Sequence, residues 1–306
     1  MAQRFLLAGT AYNVPGGKSM VGGTIYNIVK GKTLVDGTGY DIKFKPDASP
    51  VLNENDWSVI SDVSTRGYAS HYWAVGDTKQ ITLNGTVGNT TFNNLVICAF
   101  IVGFDHNSDI EGKNTIHFQI GKSSITGEKN LCLVDSVPDT ENGYFSMNDS
   151  ASNIGGWASS KMRTVLLGSP KGTTSPLSGS LIAALPKDVR NVMKYARKYS
   201  DNRGGGYNLS SYVTATYDCM WLPSIYEIRG YTGSSNSYES DYQKQYAYYA
   251  NGNSLTFYRY NDTSSKALPW SRSAHNDSDS RFCFCTEGNT IGSANMSAGL
   301  SPMFCV

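Results

Sequence analysis

The 306-residue sequence is poor in charge, with 17% charged residues and a formal net charge of +1. It lacks the basic surface that marks nucleic-acid binding, so we expect no nucleic-acid partner. There is no run of 18 apolar residues, so we predict no membrane insertion. The first nine residues lack the apolar core and cleavage site of a secretory signal, so we expect synthesis in a cytoplasm and no signal peptide.

Motifs that mark enzymes and metal sites are also missing. None of the three Gly-Lys-Ser/Thr triplets has the glycine five residues earlier that a phosphate-binding loop needs, and GxSxG, HExxH, EF-hand and CxxC patterns are absent. Of the four scattered histidines, His106 is the best catalytic candidate because it follows a predicted strand, yet a lone histidine is more often structural. We therefore predict no catalytic residue, no metal, no cofactor and no enzymatic activity.

Six cysteines are present, and each lies in or beside a short apolar, strand-like run. This placement predicts buried, reduced thiols that pack as small hydrophobic groups, rather than disulfides or zinc ligands. The six are Cys98, Cys132, Cys219, Cys283, Cys285 and Cys305.

A repeat marks the N-terminal region. Residues Gly17–Ile28 recur 14 positions later as Gly31–Ile42, with seven of twelve positions identical. Each copy places a turn signal, Gly22-Gly23 or Asp36-Gly37, between β-prone runs, so each copy predicts a hairpin. Two hairpins bury too little surface to stand alone, so we predict that residues 1–50 serve attachment or oligomerisation. The stretch 45–55, which contains two prolines, is predicted to be the linker.

The rest of the chain is predicted to contain many short strands and two helices, because glycine (31) and tyrosine (20) are abundant. The helices are expected over Trp157–Leu167 and Leu181–Tyr199, the second restarting near Pro186. Twelve of the tyrosines lie between Tyr207 and Tyr260. They could fill half-buried strands or supply contact area for a ligand, and composition favours the first reading. The predicted strands are 72–83, 95–104, 115–120, 281–285 and 301–306.

A series of motifs in residues 70–306 resembles a known family. They begin with Tyr72–Thr78, Val102–His106 and Gly155–Thr164, and continue with Trp270–Ser273, Phe282-Cys283, Gly288 and Gly299–Val306. In this order they resemble the C-type-lectin-like domains of prophage tail proteins and bacterial surface proteins. That family is related in fold to formylglycine-generating enzymes and to the variable proteins of diversity-generating retroelements.

The resemblance implies an α+β fold over residues 51–306, with two helices and small twisted antiparallel sheets. It further implies a displayed C-terminal region at about 255–303 that faces a ligand. The fixed positions would be Trp270, Arg272, Ser273, Phe282, Gly288, Ala294, Gly299, Pro302 and Phe304. The Glu-Pro-Asn and Trp-Asn-Asp motifs of calcium-dependent sugar-binding lectins are absent, so we expect no calcium-bridged sugar.

The candidate ligand-binding residues lie between or beside these fixed positions. Most are small and polar, which suits adaptable hydrogen bonding, whereas Phe284 would be an apolar anchor on the same face. The set comprises Tyr258, Tyr260, His275, Asn276, Asp277, Ser278, Asp279, Phe284, Thr286, Asn289, Thr290 and Asn295.

Three functions follow from the resemblance and the composition. The first is a phage tail receptor-binding protein in the virion tail, which binds a protein or glycan receptor on the bacterial host surface. It would be mounted by its hairpins on other tail proteins and would form a homo-oligomer such as a trimer. The second is a formylglycine-generating type of enzyme, disfavoured by the missing site motifs. The third is a purely structural tail or baseplate component.

Overall fold

The computed structural model describes the backbone of six short segments before residue 43, and residues 46–133 and 145–306 in full. The chain divides into two compact units, Met1–Pro50 and Val51–Val306. The second contains both helices and strands, so the predicted α+β class is confirmed. Among the described residues, no helix is both long and apolar enough to cross a membrane.

The first unit contains three antiparallel hairpins: β1 (Gln3–Leu7) with β2 (Thr10–Val14), β3 (Lys18–Val21) with β4 (Thr24–Asn27), and β5 (Gly31–Val35) with β6 (Thr38–Ile42). The second and third are the two hairpins predicted from the repeat, although their turn residues, 22–23 and 36–37, lie outside the described residues. The first was not predicted. Its signal is in the sequence, because Gly9-Thr10 and Tyr12-Asn13 match Gly23-Thr24 and Tyr26-Asn27 of the next copy.

The boundary between the units falls at Pro50, earlier than the end of the predicted linker. Leu52–Glu54 forms a 3₁₀ turn, and Leu52 is buried. The Asn55 amide donates to the Val51 carbonyl at 2.9 Å. The prediction of a linker through residue 55 is therefore wrong over its last residues, because Leu52 anchors them in the core.

An eight-stranded sheet forms the centre of the second unit. Its most buried strand is β9 (Ile116–Lys122), all seven residues of which are buried. It pairs antiparallel with β8 (Thr90–Phe104), β10 (Asn130–Cys132) and β19 (Met303–Cys305) at different positions. The predictions over 95–104, 115–120 and 301–306 correspond to β8, β9 and β19. The strands are β7 (Thr78–Val87), β8 (Thr90–Phe104), β9 (Ile116–Lys122), β10 (Asn130–Cys132), β13 (Met220–Trp221), β14 (Phe257–Arg259), β15 (Lys266–Ala267) and β19 (Met303–Cys305).

Two smaller sheets complete the strands of this unit. One is a ribbon of β11 (Ala196–Asp201) and β12 (Val213–Asp218), and the other is the three-stranded antiparallel sheet β16 (Trp270–Ala274), β17 (Arg281–Phe284) and β18 (Ile291–Ser293). Because β16, β17 and β18 alternate in direction, the connections 275–280 and 285–290 lie at opposite ends of the sheet. A four-residue strand separates these ends by about 13 Å.

The helices are short. They are α1 (Trp57–Thr65), α2 (Ala69–Tyr72), α3 (Ser108–Glu111), α4 (Gly156–Ser159), α5 (Leu181–Ala184), α6 (Lys187–Val192), α7 (Ile225–Arg229) and α8 (Ala247–Ala250). The longest, α1, was not predicted, although its buried Trp57, Ile60 and Val63 recur every three residues. The strand predicted from residue 72 is wrong at its start, because α2 ends there and β7 begins only at Thr78.

The two predicted helices are only partly right. The first is divided into α4 and a π-helix at Met162–Leu167. The second is wrong beyond Val192, because the chain enters β11. Along β11, Lys198 and Ser200 are buried while Arg197 is exposed, and this period of two overrides the helical spacing that ends at Met193.

The prediction for the cysteines is confirmed: all six are free and buried. Burial raises the pKa of the Cys98 and Cys219 thiols to about 11 and that of Cys305 to about 12. A thiol with so high a pKa holds little thiolate at neutral pH, so these groups act as core side chains.

Candidate functional site

The predicted display region is built on the β16–β18 sheet, whose apolar side chains are fully packed. Trp270 and Phe282 are buried, and the Trp270 indole nitrogen donates to the Phe145 carbonyl at 2.8 Å. Both faces of β17 are covered, because Phe282, Cys283 and Phe284 are all buried. The sheet is therefore a packed support whose connecting loops reach solvent.

Phe284 contradicts the predicted ligand face. Its ring stacks on Trp270 at a centroid distance of 4.4 Å, and the residue is 1% exposed. A Cβ at Gly292 would lie 2.4 Å from the same ring, so the packing requires glycine there. Phe284 is a core residue and not a binding anchor. A strand with one exposed face alternates buried and exposed side chains, but β17 is covered on both faces, so Phe284 is buried as well.

Asn153 joins three loops from distant parts of the chain. Its buried side-chain amide donates to the carbonyls of Ser278 at 2.7 Å and Arg281 at 2.8 Å, and its Oδ1 accepts the backbone N–H of Gly205 at 2.8 Å. Gly204 has a φ of +63°, and a Cβ there would lie 2.0 Å from the Asn153 carbonyl oxygen. The loops 150–155, 203–209 and 275–280 are thus held together by one buried side chain.

A second buried pair fixes the neighbouring loop. The Asp201 carboxylate accepts the backbone N–H of Gly204 at 2.8 Å and the side-chain amide of Asn236 at 3.0 Å. The same Asn236 amide donates to the Leu209 carbonyl at 3.0 Å. Loop 231–238 is therefore attached to loop 203–209 through groups that solvent does not reach.

The end of α7 and the loop 231–238 that follows it contact both ends of the β16–β18 sheet. At one end, the Asn276 backbone N–H donates to the Ser234 carbonyl at 2.9 Å. At the other, Arg229 at the end of α7 donates to the Thr286 carbonyl at 2.6 Å and to Asn289 Oδ1 at 2.9 Å. The two connections of the sheet, though at opposite ends, are linked through one segment.

We call these five segments the loop face: residues 150–155, 203–209, 231–238, 275–280 and 286–290. Large hydrophobic side chains are unusually exposed on it. Five of the twelve that the described residues expose lie here: Ile154, Tyr207, Leu209, Tyr231 and Tyr238, at 40–67% exposure. Exposed apolar and aromatic groups on a fixed backbone are typical of a protein-binding or ligand-binding surface.

Most of the sequence-predicted site residues lie on or beside this face. Asp277, Asp279, Asn289, Thr290 and Asn295 are exposed, and His275, Asn276, Ser278 and Thr286 are half-buried. Tyr258 lies on β14 of the large sheet instead, and Tyr260 directly follows that strand. The Tyr260 hydroxyl donates to the Val96 carbonyl of β8 at 3.1 Å. Phe284 is excluded by its burial.

The tyrosine-rich stretch contains both buried tyrosines and exposed tyrosines that could contact a ligand. Tyr246, Tyr248 and Tyr249 are buried, whereas Tyr207 and Tyr217 are each 60% exposed. Sequence reasoning did not choose Tyr207 or Leu209 as site residues. The available signal was the preceding Gly204-Gly205-Gly206, which marks a turn, and turns lie at the surface.

A buried ionic cluster lies behind the loop face. The Lys198 ammonium is 2.5 Å from Glu111 and 2.9 Å from Glu227, and Arg272 pairs with the other oxygen of Glu227. Although burial opposes it, the Arg272 and Lys198 charges lower the pKa of Glu227. Burial raises the pKa of Glu111 to about 7. These four side chains are at most 3% exposed, so they act on one another rather than on a solute.

His106, the best catalytic candidate from the sequence, belongs to this cluster. Its ring stacks on Tyr246 at 3.7 Å, and burial lowers its pKa to about 3. Ligand atoms of His106, Glu111 and Glu227 lie within 4.8 Å of one another, a spacing that could hold a metal ion. The Lys198 ammonium already bonds both carboxylates, so the cation there is a side chain of the protein.

Glu239 connects the cluster region to the loop face. Its carboxylate accepts the Asp201 backbone N–H at 3.0 Å and the Ser273 hydroxyl at 2.8 Å. Burial raises the pKa of Glu239 to about 7. The residue therefore ties β11, which carries Asp201, to β16, which leads into the 275–280 loop.

Known proteins add nothing to this geometry: no family model, no curated protein and no solved structure matches the chain.

Proposed function

We propose that this protein is a phage tail receptor-binding protein whose loop face binds a receptor on the bacterial host surface. The observation that carries the proposal is the loop face itself. Five segments far apart in sequence are fixed by buried groups such as Asn153 and Asp201, yet they expose Tyr207, Leu209 and Ile154. A rigid backbone with exposed aromatic side chains reduces the entropy lost on binding.

The finer assignments belong to the same proposal. The second unit is a C-type-lectin-like domain, related to retroelement variable proteins, and exposed positions such as Asp277 and Asp279 are those free to vary between strains. The hairpin unit mounts the domain on other tail proteins in the virion and supports a homo-oligomer such as a trimer. The sequence resemblance and the three-copy hairpin repeat support these assignments.

An enzymatic role of the formylglycine-generating type is the weaker alternative. The strongest group of ionisable side chains, around Lys198 and Glu227, is enclosed and internally paired. A catalytic group must come within hydrogen-bond reach of a substrate, which this enclosure opposes. The proposal is therefore a binding protein and not an enzyme.

The test is binding of purified, fluorescently labelled protein to cells of the bacterium whose phage or prophage carries the gene. A variant combining Tyr207→Ala, Leu209→Ala and Asp277→Ala should lose at least ten-fold in cell binding while keeping its melting temperature. Tyr217→Ala is the matched control, because Tyr217 is as exposed as Tyr207 but lies near the far end of the β11–β12 ribbon.

Equal binding by the triple variant and the wild type would contradict the loop face as the receptor surface. Failure of the wild-type protein to bind any cells, with normal incorporation into tails, would favour a structural component instead.

A further inference from the structure

A cleft of about 680 Å³ lies apart from the loop-face residues, between the tip of the β7–β8 hairpin and the π-helix. The hairpin contributes Asn84, Thr86 and Asn89, and the segment before α5 contributes Ser178. Val165 of the π-helix and Ala183 of α5 add apolar surface. The volume falls within the usual 300–1,000 Å³ of small-molecule sites.

The π-helix is a second, independent sign of a site. π-Helices are rare, and those that do occur are frequently found at functional sites. Here, the π-helix presents Val165 to solvent at 47% exposure, while Leu166 and Leu167 are buried. Val165 and Lys161 also line a neighbouring cleft of about 370 Å³, whose lining includes Ser150, Ser152 and Ile154 of the loop face. Only the larger cleft is separate from the loop face, because its lining contains no loop-face residue.

The lining chemistry selects the ligand class. Lys161, the one charged residue of the larger cleft, is paired with the Asp149 carboxylate, so no net charge attracts an ion. Within the described part of the chain, the Asn89 amide and the Ser178 hydroxyl have no hydrogen-bond partner, and both residues are exposed. Amides and hydroxyls beside small apolar side chains suit a neutral ligand rich in hydroxyl groups.

We infer that the larger cleft is a second binding site, for a short neutral oligosaccharide. The site does not depend on the receptor role of the loop face. Its polar groups would exchange hydrogen bonds with sugar hydroxyls, and Val165 and Ala183 would pack against the less polar face of a sugar ring. Two binding sites on one chain would raise its avidity for a glycan-coated cell.

Isothermal titration of the full chain with maltotriose, cellotriose and triacetylchitotriose, each to millimolar concentration, tests the inference. At least one of the three should bind. Val165→Trp should then weaken that binding at least ten-fold, because the indole would fill part of the larger cleft. Asn89→Ala with Ser178→Ala should also weaken it, without adding bulk.

Val96→Trp is the matched control, since Val96 is also exposed but lies outside the cleft lining. No binding of any of the three sugars, equal binding by Val165→Trp, or equal loss in Val96→Trp would each overturn the inference. Loss of sugar binding in the loop-face triple variant would overturn it as well, because the sugar would then occupy the loop face. The receptor proposal is tested separately by cell binding.

Discussion

The loop face and the buried ionic cluster are both built on β16, and they use polar residues in opposite ways. Arg272 lies inside and donates to Glu227, to the Ser200 hydroxyl at 2.7 Å and to the Leu222 carbonyl at 2.9 Å. His275, three residues later, opens the exposed loop. The buried residues are fixed by several partners each, whereas some exposed residues, such as Asp277 and Asp279, lie on loops that are fixed by other groups. Exposed side chains such as those of Asp277 and Asp279 can therefore change without loss of the fold.

The largest effect should come from breaking the cluster. Arg272→Met leaves Glu227 buried with only Lys198 as a charge partner, and we expect a loss of about 3–5 kcal/mol in the free energy of unfolding. Arg281→Met, an exposed arginine on the next strand, should change it by less than about 0.5 kcal/mol. Urea unfolding of both variants measures the difference. A loss below about 1 kcal/mol for Arg272→Met would mean that the ionic cluster contributes little to the stability of the fold.

Phe284 and Thr290, which the sequence placed on the same face, should differ in their contribution to the free energy of unfolding. Phe284→Ala removes a ring stacked on Trp270, and we expect a cost of about 3–5 kcal/mol because a cavity remains. Thr290→Ala, at an exposed position, should cost no more than about 0.5 kcal/mol. Thermal and urea unfolding check both. Similarly small losses of unfolding free energy in the two variants would indicate that Phe284 lies at the surface.

Glu239 gives a pH-dependent test of the link between the two regions. Its pKa is raised from 4.5 to about 7, so the fold favours the protonated acid. The resulting stability is complete below about pH 4.5 and is lost as the pH rises through about 7. Glu239→Gln retains an uncharged group, so wild-type stability should fall relative to this variant by on the order of 3 kcal/mol between pH 4.5 and 8.

Unfolding curves across that pH range provide the measurement, with the exposed Glu287→Gln as control. A constant stability difference between wild type and Glu239→Gln would show that the carboxyl is not protonated in the fold.

The smallest effect on stability is expected on the loop face. The variant combining Tyr207→Ala, Leu209→Ala and Asp277→Ala removes exposed side chains, so each change should cost no more than about 0.5 kcal/mol. Differential scanning calorimetry should show nearly the same melting temperature as wild type. A drop comparable to that of Phe284→Ala would make these residues part of the core.

The features that the sequence could predict were those with a local signal. The repeat predicted two hairpins, the apolar runs predicted β8 and β9, and the setting of each cysteine predicted its burial. The predictions failed where contacts between segments distant in sequence determine the structure. Phe284 is buried because Trp270 covers it, and the end of the second helix became β11 because residues 196–201 pair with β12.

In the candidate site, too, the sequence could predict the residues with a local signal but not those placed by long-range contacts. Polar loops near Asp277 and Asn289 were identified because their composition marks exposure. Tyr207 was not, because its place beside these loops depends on Asn153 and Asp201, whose bonds join residues more than 30 positions apart. The buried cluster was also missed, since Lys198, Glu227 and Arg272 are remote in sequence and carry no common motif.

The central claim is that the loop face, and not another exposed tyrosine surface, contacts the receptor. Tyr207 and Tyr217 are equally exposed, at 60%, and can each be replaced singly by the photo-crosslinking residue p-benzoylphenylalanine. After irradiation on host cells, the protein labelled at position 207 should form a covalent adduct with a cell-surface component, and the protein labelled at 217 should not. Adducts from position 217 alone would contradict the account.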